Sequence, residues 1–327
     1  MTRSHPLLSS ILLSLCAAGC ASAPATTASP APSPAPVTTT TNARPAARPL
    51  VARAQPAIPL WANGAPGALG ATPADQPQMT PYLPPEGTAN GTAVVIYPGG
   101  GYQHLSMEKE GSDVANWLAG AGVTTFVVRY RLGPTYHHPI ELGDAQRAIR
   151  TARARAAEWG IDPRRVGVIG FSAGGHLAST TGTHFDAGNA SSTDPIERAS
   201  SRPDFMLLLY PVITMRADSV THAGSRLNLL GASPTPELER LLSNETQVTP
   251  QTPPTFIVHT EDDRTVPVQN ALLFYDALKR NGVQAELHVF EHGPHGFGLA
   301  PTNPVLAVWT TLCETWMRQH GWLTPVR

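Results

Sequence analysis

The apolar positions of this chain fall into short runs divided by longer amphipathic stretches. Thr92-Ala93-Val94-Val95-Ile96-Tyr97, Val123 to Arg129, Arg165 to Phe171, Phe205-Met206-Leu207-Leu208-Leu209-Tyr210, Thr255 to His259 and Glu286 to Phe290 are such runs. Their length and β-branched content predict strands buried on both faces. Between them, helical spacing predicts helices over Glu110 to Ala121, Ile140 to Trp159, Ala173 to Thr181, Val268 to Asn281 and Pro304 to His320. Strands alternating with helices predict an α/β domain: a mostly parallel central sheet with helices on both faces. Residues 58 to about 91 are Pro- and Gly-rich and predict an irregular arm with one short strand near Met79 to Leu83. Residues 212–250 are the least regular part, with one helix from Glu237 to Leu242, and suit a small irregular lid.

The first 57 residues carry no such pattern. Residues 1–20 have a basic start, an apolar run from Leu7 to Leu15 too short to span a bilayer, and small residues up to Cys20. That is the layout of an export signal. Its ending, Ala17-Ala18-Gly19-Cys20, resembles a bacterial lipoprotein signal, which implies lipidation of Cys20. It also implies an outer-membrane anchor facing the periplasm or the cell surface. Plain secretion with cleavage near Ala21-Ser22-Ala23 is the alternative. Residues 21–57 are Ala-, Pro- and Thr-rich, and a segment so poor in large apolar side chains is expected to be a disordered tether. The catalytic domain is expected from residue 58 to 327.

Composition narrows the function classes. There are 23 basic and 24 acidic residues in 327, a formal net charge of −1. No basic field exists to recruit nucleic acid. Of three cysteines, Cys16 and Cys20 lie in the signal and Cys313 stands alone in an apolar helical stretch, so no internal disulfide is expected.

The chemistry gathers where strands end. Arg165 to Phe171 runs into Ser172-Ala173-Gly174-Gly175-His176, a G-x-S-x-G sequence in strand–turn–helix context. Gly170 and Gly174 let the helix pack close to the strand, because neither has a Cβ. A serine hydroxyl needs a base, and the base an orienting acid, here in chain order Ser…Asp/Glu…His. After the strand at Thr255 to His259 come Glu261, Asp262 and Asp263; Asp263 is the preferred acid and Asp262 the runner-up, with a loop-stabilising role as its other use. After the strand at Glu286 come His292 and His295, with His295, framed by glycines and Pro294, the stronger base. The two histidines lack a third ligand at matching spacing, so no metal site is expected. The oxyanion needs converging N–H donors. Ala173 supplies one at the helix start, and the Pro98-Gly99-Gly100-Gly101-Tyr102 turn supplies the other through Gly100 or Gly101. A phosphate-cradling loop would need a lysine followed by Ser or Thr, and neither is in place.

Together these stretches resemble the α/β-hydrolase superfamily, across about residues 90–320. The resemblance is strongest to its carbohydrate-esterase and acetyl-xylan-esterase-like members of BD-FAE type. It rests on Tyr97 to Tyr102 with Leu105-Ser106, Asp144-Ala145-Gln146-Arg147-Ala148, Gly170 to Ala178, His259 to Pro267 and Gly293 to Phe297. It implies a cofactor-independent serine esterase with Ser172, Asp263 and His295 as triad, acting on acetylated carbohydrate or another small ester. Asp144, inside a helix, is expected to be a structural partner of an arginine, and His104 to line the entrance or lie exposed on its loop. Three alternatives stand beside this: a general short-chain carboxylesterase, a prolyl-oligopeptidase-like peptidase, and a silent glycan-binding lipoprotein. The peptidase would want a large N-terminal propeller, for which residues 21–90 are too few and too Pro-rich, and the silent binder has no need of a complete triad. A dienelactone hydrolase would place cysteine at 172.

Overall fold

The computed structural model describes residues 52–324. The signal stretch, Cys20 and the tether before residue 52 lie outside the described residues. Among the described residues, nine strands form one sheet: β1 (Arg53–Ala54), β2 (Ile58–Pro59), β3 (Gln78–Leu83), β4 (Ala93–Tyr97), β5 (Thr124–Arg129), β6 (Val166–Phe171), β7 (Met206–Leu209), β8 (Thr255–Thr260) and β9 (Ala285–Phe290). Its order is β1-β3-β5-β4-β6-β7-β8-β9, with β2 also on β3. From β5 to β9 every pairing is parallel, and β3 joins β5 antiparallel.

The continuous apolar runs resolve into two interleaved faces, because successive strand side chains point opposite ways. Val95, Tyr97, Val168, Leu208 and Ile257 enter one core with α2 (Ile140–Ala154), α3 (Ala173–Thr183) and α6 (Gln269–Arg280). Val94, Ile96, Ile169, Phe171, Leu207 and Val258 enter the other, with α1 (Asp113–Gly120) and α7 (Pro304–Gln319). Trp309 and Cys313 of α7 are wholly buried there. Each fully buried large side chain contributes about 1.5–3 kcal/mol of transfer free energy, so neither face can be stripped of its helices.

The direction in which successive strands are added reverses at β4. Its successor β5 lies on one side and β6 on the other, and α1 and α3 cover opposite faces. A crevice opens at the carboxyl ends of β4 and β6, as it does at such a switch point generally. Both glycine-rich turns emerge there.

Four expectations need correction. Residues 53–54, assigned to the tether, form β1 on Tyr82 and Leu83. Edge pairing uses backbone alone, and these two side chains are exposed, so no apolar pattern marks them. The helix expected from Glu110 opens with a π-helical turn at Met107–Ser112 before α1. The helix expected to reach Trp159 stops at Ala154, and a tighter 3-10 turn (Ala156–Trp159), closed by Gly160 at φ 66°, brings Trp159 onto Phe126. The lid is more regular than expected, holding α4 (Ala223–Leu230) and α5 (Pro236–Leu241). Helix α4 is capped by His222, whose Nδ1 accepts the Ser225 N–H, and histidine is not a usual start signal.

Candidate active site

Ser172 stands between β6 and α3 with φ 53° and ψ −120°, a conformation a residue with a Cβ seldom adopts. The surroundings hold it there. Its N–H donates to Leu209 O at 3.0 Å, and its carbonyl accepts from Val212 and His176. A Cβ on Gly174 would be driven into the carbonyl oxygens of Tyr97 and Pro98, and one on Gly170 into the Gly174 carbonyl. The two glycines are therefore what lets α3 seat directly behind the serine.

His295 reaches this point from the loop after β9. Its Nε2 lies 2.8 Å from Ser172 Oγ, and its Nδ1 lies 2.6 Å from Asp263 Oδ2. A carboxylate only accepts, so the imidazole proton sits on Nδ1 and Nε2 is left to accept from the serine hydroxyl. Asp263, on the loop after β8, has a fully buried side chain, while that of His295 keeps 18% exposure. Burial by itself would raise the Asp263 carboxyl. The His295 hydrogen bond, the Val266 N–H, the His295 charge and the Thr265 N–H outweigh it and hold the group below the ordinary carboxylate range. It is an anion built to face an imidazolium.

The two alternatives left open are separated by geometry. Asp262 accepts the Gly293 N–H at 2.8 Å and pairs with His292 Nδ1 at 3.2 Å. Its role is to clip the β8 and β9 loops together. His292 is 76% exposed and faces Asp262 and Glu291, away from the serine. Asp144 is wholly buried and pairs with Arg131, as a structural partner should. His259 is a buried β8 residue whose Nδ1 accepts the Thr260 N–H.

The turn after β4 bends through Gly100 (φ 137°), Gly101 (φ 64°) and Tyr102 (φ 60°). Gly100, Gly101 and His104 border one cavity of about 490 Å³ together with Ser172 and His295. Among the described residues, the N–H groups of Gly100, Gly101 and Ala173 bond no protein oxygen. Gly99 is different: its N–H donates to Glu110 Oε2 at 2.8 Å. Donors left open beside a nucleophile suit an oxyanion, whereas an occupied one does not.

Several residues at the site escape sequence reasoning. Glu110 is buried on the π-helical turn, with Oε1 accepting the Tyr210 hydroxyl at 2.8 Å. Burial raises its carboxyl above the ordinary value, against the opposing bonds from Tyr210 and Gly99. The Tyr210 ring in turn stands edge-on to His295 at 5.1 Å. The Met-Glu-Lys-Glu sequence around Glu110 reads as a solvated helix start and carries no hint of this. From the lid, Asn228 Nδ2 donates to Gly101 O at 2.8 Å, and His222 and Gly224 border the cavity. His176 donates from Nε2 to Leu242 O and accepts the Tyr102 hydroxyl at Nδ1. Burial pushes its pKa down to about 3, so this link between oxyanion turn and lid stays neutral.

A nucleophile–base–acid chain with adjoining open N–H donors can carry out acyl transfer through a covalent intermediate. Known proteins agree in family. The BD-FAE family profile matches residues 79–278. The chain is 37% identical over 250 residues to an acetylxylan esterase of Xylanibacter ruminicola, spanning 75% of this chain and 46% of that protein. It is equally similar over 227 residues to endo-1,4-beta-xylanase B of Butyrivibrio fibrisolvens, spanning 68% of this chain and 35% of that protein. The chain thus spans about half the length of the curated relatives it matches, or less. Among solved structures, the acetyl ester-xyloside bifunctional hydrolase of Caldicellulosiruptor lactoaceticus superposes with a TM-score of 0.78 at 46% identity, over 82% of this chain and 97% of that one. A carboxylesterase of Lactobacillus plantarum gives 0.64 at 25%, over 84% and 99%. With the profile covering more than half its length, the chain belongs to the BD-FAE family, on an α/β-hydrolase fold.

Proposed function

We propose that this protein is a serine esterase that removes acetyl groups from acetylated plant polysaccharides or oligosaccharides of the xylan type. The observation that carries the proposal is the unbroken line Ser172 Oγ, His295 Nε2, His295 Nδ1 and Asp263 Oδ2, with contacts of 2.8 and 2.6 Å, opening on a cavity of about 490 Å³. His295 takes the Ser172 proton as Oγ attacks the ester carbonyl. Asp263 stabilises the imidazolium, and the oxyanion forms against the N–H groups of Ala173 and of Gly100 or Gly101. His295 then returns the proton to the departing sugar hydroxyl, and water, deprotonated in turn by His295, frees acetate from the acyl-serine. Each oxyanion donor is worth about 3–4 kcal/mol of barrier.

The acetyl-xylan part leans on what the relatives from Xylanibacter and Caldicellulosiruptor are named for. It is tested by acetate release from acetylated xylo-oligosaccharide, beside nitrophenyl esters of increasing chain length, with Ser172→Ala as control. Rapid acetate release with a steep fall beyond butyrate supports it. Turnover of longer esters only would replace it with a general carboxylesterase, the activity named for the Lactobacillus neighbour. Equal turnover by Ser172→Ala would overturn both.

The proposal places the enzyme at an outer membrane, held by a lipid on Cys20. The support is the spacing of the apolar run and the Ala-Ala-Gly-Cys ending. Labelling with a fatty-acid analogue in a bacterial host should mark the wild type and leave Cys20→Ala unmarked; label on both would exclude Cys20.

A further inference from the structure

Beside the catalytic cavity lies a second, of about 470 Å³, at the carboxyl end of β5. Gln103 borders both. Pro73 and Pro77 from the N-terminal arm, with Leu105, Met107 and Leu132, give the second cavity apolar walls. Its charge is one-sided: two arginines border it and no acidic residue does.

The arginines differ in what they have left to give. Arg131 is satisfied, with Nε and Nη2 on Asp144 and Nη1 on Pro66 O. Arg129 donates from Nη2 to Gln76 O at 3.2 Å, its Nε is buried without a partner, and among the described residues it forms no ion pair. Asp75, the acid next to Gln76 on the arm, is taken by the Tyr136 hydroxyl and by Thr72. The Gln103 side-chain amide makes no hydrogen bond among the described residues. The Arg129 Nε is closed off, but its Nη1 makes no hydrogen bond among the described residues, and a guanidinium with an open Nη edge in an apolar-walled cavity is complementary to one carboxylate on a compact ring.

We propose that this cavity is a subsite for a uronic acid residue of the same glycan whose acetyl group is presented to Ser172, with Arg129 binding its carboxylate. The inference rests on the proposed carbohydrate esterase for the identity of the glycan. A chain spanning both cavities passes Gln103, whose free amide can bond a sugar hydroxyl. Such a subsite directs the enzyme to acetyl groups near acidic branches.

The test is calorimetric titration of the Ser172→Ala protein with two xylo-oligosaccharides of equal length, one neutral and one carrying a glucuronic acid branch, and with free glucuronate. The branched sugar should bind at least tenfold more tightly than the neutral one, and the gap should narrow as salt rises. Arg129→Gln in the same background should remove the gap and leave the neutral affinity unchanged, while Arg129→Lys should restore part of it. Nitrophenyl acetate turnover by Arg129→Gln with Ser172 intact should match wild type, showing that the fold is kept. Equal affinity for the two oligosaccharides, or a preference that survives Arg129→Gln, overturns the subsite. Free glucuronate binding as tightly as the branched sugar overturns its assignment to a glycan. Charge-dependent binding without acetate release from any acetylated sugar would support the subsite and sink the esterase proposal alone.

Discussion

Glu110 and Gly99, eleven residues apart, are joined by a 2.8 Å hydrogen bond from the glycine N–H to the buried carboxylate. This bond ties down the first glycine of the turn, whose next two N–H groups bond no protein oxygen among the described residues and belong to residues bordering the same cavity as Ser172. The other carboxylate oxygen holds Tyr210, whose ring borders His295. One side chain thus spans the oxyanion turn and the base.

Removing that carboxylate should loosen the turn and the Tyr210 ring beside His295 while leaving the triad's own hydrogen bonds in place. Hydrogen bonds to charged groups are worth about 1.5–3 kcal/mol, so Glu110→Ala is expected to lower kcat by about ten- to a hundredfold, with KM changing less. Glu110→Gln keeps an acceptor and should fall much less. Steady-state kinetics on nitrophenyl acetate measure both, and a loss confined to KM would contradict the assignment.

The two neighbouring aspartates should separate cleanly. Asp263→Asn removes the anion opposite His295 and should cost about 10⁴ in kcat, the scale seen when a triad acid is made neutral. Asp262→Asn touches only the loop clip to Gly293 and His292 and should stay within a few-fold of wild type. Comparable losses in both would mean that the acid is misassigned.

Glu141 is wholly buried at the start of α2, and neither carboxylate oxygen has a hydrogen-bond partner among the described residues. Burial, reinforced by the Asp144 charge and opposed by its own N–H and Arg131, pushes its pKa from 4.5 to about 8. Between those values the folded state holds a proton the unfolded state has released, so stability falls as pH rises. His138 and His176, lowered to about 4 and about 3, act in the opposite sense, but only below about pH 6.5. Chemical denaturation from pH 6.5 to 8 should therefore show wild type losing ground to Glu141→Gln by about 1 kcal/mol per pH unit. Parallel curves for the two proteins would rule out the buried proton.

Glycines behind the serine should tolerate nothing. Gly174→Ala forces its Cβ against the Tyr97 and Pro98 backbone, and is expected to destabilise by more than about 4 kcal/mol or prevent folding. Gly120→Ala, at the end of α1 with open space around it, should be neutral or stabilise by up to about 1 kcal/mol. Thermal melts compare the two, and similar melting of both variants would show that the close packing at Gly174 is relaxed in solution.

Much of this was legible beforehand because it is local. Apolar runs mark β4 to β9 to within a residue or two. The elbow is readable because the tight turn, the nucleophile and the helix start are contiguous at Gly170 to Gly174. Other features leave no local mark. β1 pairs through backbone alone, α4 starts on a histidine cap, and the break after Ala154 follows from how Trp159 packs on Phe126.

The sequence by itself determined the alternation of strands and helices, and the order in which serine, acid and base follow their strands. These depend on neighbours a few residues away. Only the tertiary structure sets Asp263 and His295 in line with Ser172 and turns Asp262 and His292 toward each other. Residues close together on one loop share a sequence environment, and only the facing loop tells them apart. The tertiary structure also shows what Glu110 touches and what Arg129 leaves unbonded. A charged side chain looks alike in any sequence; whether its charge is matched, buried or left open depends on the distant chain packed around it.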